Sequence, residues 1–222
     1  MNIQTYLTKQ SAKIDRALDS FLPKKREYPR TLHEAMRYSI FSGGKRIRPI
    51  FVLAACGAVG GAEKKAMHAA CAVELIHNYS LIHDDMPCMD DDDLRRGRKS
   101  CHKKFNEETA LLAGDALLTL AFRMLSSTTD FNTAKDLERQ LVSVSLIAEA
   151  AGSRGMVGGQ AVDLECKTKE IELPTIEYIN THKTGAVIAV CLKVGAYLGG
   201  GAKAEVEALH HYGKYVELHF QI

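Results

Sequence analysis

The stretch AEKKAMHAACAVELIHNYSLIHDD, Ala62 to Asp85, contains no proline or glycine and closes on a pair of aspartates. Its alanine-rich, unbroken run predicts a helix from Ala62 to Asp84, stopped by Pro87. His77 and Asp84 lie two turns apart and share a face with Val73 and Ser80, so that face is apolar below and acidic above. A helix that ends in carboxylates belongs with its tip at the mouth of a bundle and its body in the core.

The segments on either side read the same way. Ile3, Leu7, Ile14, Leu18 and Phe21 fall near a 3.6-residue period and predict a first helix closed by Pro23. Leu32, Ala35, Met36, Ile40 and Phe41 predict a second, Thr31 to Ser42, ended by Gly43 and Gly44, and Pro49 suits the first turn of a third. Further helices are expected over Glu107 to Ser126, Asp136 to Ala151, Thr175 to Leu198 and Ala202 to Ile222. Apolar runs such as AVIAVCLKVGAYL contain β-branched residues, but their length favours buried helix over strand. Glycines at 43–44, 57–61, 152–159 and 199–201 punctuate helices and form no linker, so the expectation is one all-α domain over 1–222, a large helical bundle.

Composition removes several function classes. The 222 residues are 46% apolar and 25% charged, enough for a sizeable core. A net charge of +2 and the lack of any acid-free lysine and arginine run speak against nucleic acid as a partner. No window approaches the roughly 18 apolar residues of a membrane span, and the N-terminus lacks the apolar stretch of a secretory signal, so a cytoplasmic location is expected. Six scattered cysteines, with no CxxC pair and no zinc-type spacing, read as reduced and mostly buried thiols.

Past the helix end, SLIHDDMPCMDDDDLRRGRK (Ser80 to Lys99) sets Asp84, Asp85 and Asp90 to Asp93 beside Arg95, Arg96, Arg98 and Lys99. A solvated acidic loop is the ordinary account of such a run. Its self-repulsion argues instead for a divalent cation. Calcium in an EF-hand does not fit, because the sixth-position glycine is missing and arginine stands where a bidentate glutamate should. Magnesium prefers one or two carboxylates plus a phosphate, and a guanidinium fork matches phosphate oxygens. Basic and polar groups recur in GGKRIRP (Lys45, Arg46, Arg48), GGQAVDLE (Gln160, Asp163) and HKTG (Lys183, Thr184).

Together, GGKRIRP, ELIHNYSLIHDDMPCMDDDDLRRG, HKKF, LAGDALLTLAF, GMVGGQAVDLE and HKTGAVI resemble the short-chain trans-prenyltransferases of the bacterial farnesyl and plastid geranylgeranyl diphosphate synthase type, from about Thr31 to Gln221. The resemblance implies an isoprenoid synthase fold around a central cavity, two substrate diphosphates, three Mg2+ ions and a homodimer. By position, Asp84, Asp85 and Asp90 match the first aspartate-rich motif, which holds Mg2+ against the allylic diphosphate, and Arg95 matches an arginine on that diphosphate. Lys45, Arg48, His77 and Arg96 match the pocket for isopentenyl diphosphate. Lys183, Thr184 and Gln160 match residues lining the allylic site, and Gln221 the glutamine of an FQ pair before a second aspartate motif.

The implied reaction is metal-assisted ionisation of dimethylallyl or geranyl diphosphate, attack by the isopentenyl double bond, and proton loss to pyrophosphate. Tyr79 lies five residues before Asp84, about 7.5 Å down the helix at roughly 1.5 Å per residue, with Ser80 one position nearer. A ring at that depth would stop the growing tail, so farnesyl diphosphate is the expected product and geranylgeranyl diphosphate the alternative; a packing aromatic is the ordinary account of Tyr79. The sequence stops at HFQI, where the resemblance calls for a second DDxxD motif and further helices, and it sets Glu217 and His219 at positions the family keeps small or apolar. A C-terminally truncated chain is therefore expected. That departure keeps open a catalytically deficient substrate-binding or regulatory subunit, whereas a terpene cyclase would not need Lys45, Arg48 and His77.

Overall fold

Helix α1 (Ile3–Phe21) begins where the Asn2 side chain accepts a hydrogen bond from the Gln4 amide at 3.0 Å, and it ends as Leu22 turns extended ahead of Pro23. The chain continues through α2 (Arg30–Ile40), α3 (Ile47–Ala58), a short 3-10 turn at Glu63–Ala66 and α4 (Met67–Asp84). Two short strands follow, β1 (Leu94–Arg95) and β2 (Arg98–Lys99), then α5 (Cys101–Lys104), α6 (Glu107–Leu125), α7 (Ala134–Ala151) and α8 (Met156–Cys166). Helix α9 (Leu173–Ile179) passes through a π turn, Asn180–Gly185, into α10 (Ala186–Gly199), and α11 (Lys203–Phe220) closes the series. This computed structural model describes residues 2–127, 133–167 and 172–220. The fold is all-α as expected, and no helix among the described residues is long and apolar enough to cross a membrane.

Three local departures from the sequence reading have physical causes. No strand was expected, yet LRRGRK forms a two-stranded hairpin pairing Leu94 with Lys99 and Arg95 with Arg98. Its turn residues Arg96 and Gly97 both have positive φ (54° and 74°), which suits the right-handed twist of a tight hairpin. Thr175 to Leu198 was read as one helix, but the π turn interrupts it with a wider turn that leaves the apolar stripe on either side intact. Gly158 and Gly159, read as punctuation, lie inside the first turns of α8.

The chain divides into two compact units. The first joins Met1–Ile47 to Glu74–Met124. Its core is the predicted stripes: Ile14 and Leu18 of α1, Ala35, Met36 and Ile40 of α2, Leu75 and Ile76 of α4, and Leu117 of α6 are all buried. Each large aliphatic side chain contributes about 1.5–3 kcal/mol by leaving water.

The second unit joins Arg48–Val73 to Leu125–Ile222. Here α10 is buried along most of its length and packs on α7 and α11, with Ala55, Leu192, Ala196 and Val206 at the centre and Phe51, Val59 and Leu209 around them. Cys56, Cys71, Cys101 and Cys191 are buried, and no disulfide forms among the described residues. Burial pushes the Cys101 thiol up to about 11.

Candidate active site

In the first unit, the acidic run is a loop folded back on the end of α4. The amides of Asp90, Asp91 and Asp92 donate to the carbonyls of Asp84, Met86 and Asp85 at 2.9, 3.1 and 3.2 Å. These bonds satisfy carbonyls that a helix end would otherwise leave open. Asp84 is half-buried at the helix tip and Asp90 is exposed. Asp85 points inward, its side chain only 3% exposed, and Arg95 grips it: Nε lies 2.9 Å from Oδ1 and 3.2 Å from Oδ2, and a terminal nitrogen of the same guanidinium also donates to Oδ1. The same terminal nitrogen also meets Asp92 at 2.8 Å. Burial pushes the Asp85 carboxyl up while Arg95 opposes that shift.

Around this pair the hairpin and α5 supply more cations. Lys103 lies 2.9 Å from Asp93 and, through that hydrogen bond, holds its carboxyl below the usual range. Arg96 turns the other way. It donates to the Gly43 carbonyl and lies over Gly44, where an added Cβ would come within 2.8 Å of the guanidinium at a φ of +131°. The glycine pair read as a helix stop is thus the seat of Arg96, beside exposed Lys45. Tyr38, whose hydroxyl donates to the Lys99 carbonyl at 2.8 Å, and Ser42 line the same small recess as Asp85, Arg95 and Arg96; neither was singled out in the sequence.

The remaining residues of this unit lie on α4. His77 is half-buried, and the Ser80 hydroxyl donates to its carbonyl at 3.0 Å. Tyr79 is buried, its ring edge-on to His83 at 5.7 Å. Burial, then the Asp84 charge, raises its phenol above the ordinary value.

Arg46 takes a different part from the one its sequence neighbours suggested. With φ at 53° it turns into the first unit, where it bonds Glu74 at 2.7 Å, Asp15 at 2.8 Å and the Ile40 carbonyl at 2.6 Å. It is a structural tie, unavailable to phosphate.

The second unit holds Arg48, half-buried in the first turn of α3, and the pair formed by α8 and the π turn. A Cβ on Gly159 would sit 2.2 Å from the Lys183 amide nitrogen, so only glycine lets α8 lie this close to the π turn. Lys183 then reaches Asp163 at 2.6 Å, and Thr184 is half-buried beside it. Both amide atoms of Gln160 are buried without a hydrogen-bond partner. Such a group costs about 1–3 kcal/mol unless something bonds it. Gln221 lies outside the described residues.

Among the described residues no three ligating side chains are gathered into a preformed cage. Hard carboxylate oxygens beside cationic groups nevertheless suit Mg2+, which takes one or two carboxylates and completes its shell with phosphate oxygens and water.

Residues 29–222 match the polyprenyl synthetase family. The chain is 45% identical over its whole length to a chloroplastic geranylgeranyl pyrophosphate synthase of Capsicum annuum, covering 59% of it. It is 44% identical to the large subunit 1 of a heterodimeric chloroplastic geranylgeranyl pyrophosphate synthase of Arabidopsis thaliana, again over the whole chain and 60% of that protein. Among solved structures it is similar to an FPP/GFPP synthase of Zymomonas mobilis, with a TM-score of 0.91 and 42% identity over 98% of this chain and 78% of the other. The chain thus spans about three fifths of the length of these curated relatives. Motifs, helical architecture and whole-chain similarity agree, and the chain belongs to the polyprenyl synthetase family.

Proposed function

We propose that the protein is a prenyl diphosphate synthase, joining isopentenyl diphosphate to an allylic diphosphate. The observation that carries this reading is the folded aspartate loop, in which Arg95 is held between Asp85 and Asp92 while Asp84 and Asp90 stand at its edge. Because Arg95 engages Asp85, Asp84 and Asp90 are the carboxylates assigned to Mg2+, and Asp85 sets the arginine. Bound there, Mg2+ would neutralise charge on the departing diphosphate. Arg95 keeps part of its guanidinium for the allylic diphosphate; Lys45, Arg48, His77 and Arg96 are assigned to isopentenyl diphosphate. Gln160, Lys183 and Thr184 are assigned to the allylic site, where the backbone carbonyls of Lys183 and Thr184, dipoles fixed in advance, would stabilise developing positive charge.

Product length has two readings. The curated relatives are named geranylgeranyl synthases, which favours a C20 product over the C15 product expected from the sequence. Tyr79, buried on α4, favours C15. Neither the homodimer nor the cytoplasmic location gains support, since one relative is named as a heterodimer subunit and both are chloroplastic. Purified protein with isopentenyl diphosphate, geranyl diphosphate and Mg2+ should yield a metal-dependent prenyl diphosphate. A C20 product supports the first reading; a C15 product that lengthens in Tyr79→Ala supports the second. Folded protein that binds a diphosphate and makes nothing would overturn the synthase and favour a substrate-binding subunit.

A further inference from the structure

In the second unit, an open recess of about 610 Å³ lies among the end of α7, the π turn, α10 and α11. That volume is within the range of about 300–1,000 Å³ typical of small-molecule sites. Its floor follows from the sequence of α10, where Ala186, Ala189 and Val190 fall on one stripe with Lys193, and small side chains leave the space open. His210 and Lys214 of α11, one turn apart, share the facing stripe.

The lining is cationic. Arg154, Lys193 and Lys214 surround it with the imidazoles of His182 and His210, against a single lining carboxylate, Glu149. Lys193 has Glu207 at 3.7 Å, but among the described residues no carboxylate pairs with Arg154 or Lys214. His182 is committed to stacking on Tyr178 at 3.9 Å, with its Nδ1 2.8 Å from the Tyr178 carbonyl. The Nδ1 of His210 is buried without a hydrogen-bond partner. Burial, then Lys193 and Lys214, holds this imidazole below its ordinary value, against raising contributions from the Ala189 backbone and Glu207. Arg154 and Lys214, the two cations of this lining without a paired carboxylate among the described residues, would both be satisfied by one oxyanion. An arginine fork with a lysine beside it suits phosphate oxygens best.

We propose that this recess binds a phosphate-bearing anion, through Arg154, Lys214 and His210, residues with no place in the proposed synthase chemistry. Two sources share that chemistry: free phosphate or pyrophosphate, and the head group of a prenyl diphosphate whose tail would cover Ala189 and Val190.

The test titrates the full chain, in EDTA so that the aspartate loop is without metal, with inorganic phosphate, pyrophosphate and geranyl diphosphate, using chloride at equal ionic strength as control. The His210 ring resonance is followed by NMR. A saturable His210 shift is expected with at least one probe. Its affinity should fall about tenfold or more in Arg154→Gln and Lys214→Gln, as the loss of a charge-assisted hydrogen bond implies, and should be unchanged in Arg95→Lys. Equal affinity for pyrophosphate and geranyl diphosphate would identify the free anion, and tighter geranyl diphosphate binding the prenyl source. Both substituted side chains are exposed, and far-UV circular dichroism checks that the variants fold. No saturable shift with any probe, or a shift indifferent to Arg154 and Lys214, would overturn the site. The readout needs no turnover, so an inactive synthase leaves it intact.

Discussion

Arg46 and Arg95 are both held between two acids in the first unit, yet they do opposite things. The Arg46 side chain is 2% exposed; Asp15, Glu74 and backbone carbonyls take its donors, and Glu74 is itself only 3% exposed. Arg95 is 34% exposed, with one buried acid behind it and one exposed acid beside it. A closed arginine fastens helices, whereas a half-open one, backed by a buried carboxylate, is preset in direction and still able to bind. Burial of the arginine itself, and the backbone carbonyls that take the rest of its donors, separates structure from chemistry here, since each arginine has one buried and one exposed acid.

Four variants test that contrast. Arg46→Met leaves Glu74 buried without its partner and should cost about 3–5 kcal/mol in urea unfolding, with turnover per folded molecule retained. Changing Asp15 and Glu74 to leucine as well should recover much of that loss; a single variant as stable as the wild type would erase the distinction. Asp84→Asn, at the edge of the Arg95 loop, should lower turnover by about 10²–10³ with little effect on stability, as expected for losing an electrostatic stabiliser of the transition state. Arg95→Lys keeps the charge but loses the two-pronged grip, so turnover should fall about tenfold with a small change in melting temperature. Equal turnover would mean that the fork geometry is not used.

The smallest effect concerns an exposed acid held by a buried arginine. Arg37 hydrogen-bonds Asp19 and holds its carboxyl below the ordinary range. A depressed folded pKa means the contribution is present above the unfolded value and is lost as pH falls through the folded one. The stability gap between wild type and Asp19→Asn should therefore be flat near neutrality and close in acid. A gap that widens in acid would reverse the sign.

Much of this architecture was legible because apolar period and helix stops report it directly. Helix α4 ends at Asp84, where the run into Pro87 predicts, and Pro23 and Gly43 mark the ends of α1 and α2. The hairpin was not, since LRRGRK has no alternating apolar face and is held by a turn and by Arg95's partners. Nor could GGKRIRP reveal which basic residue turns inward, because the answer rests on the positive φ of Arg46. The unpartnered amide of Gln160 is likewise a property of its surroundings in three dimensions.

The π turn at Asn180–Gly185 has a bearing on how this chain can change over generations. A π turn holds one residue more than the α turn it replaces, so removing one residue there would restore an ordinary helix and leave α10's apolar stripe in register with its neighbours. The same deletion would rotate Lys183, relative to that stripe, by about 100°, one residue's share of a 3.6-residue turn. A single lost codon could therefore keep the fold and discard the Lys183–Asp163 pair, which makes this short segment a point where descendants of one scaffold can part in chemistry while remaining alike in shape.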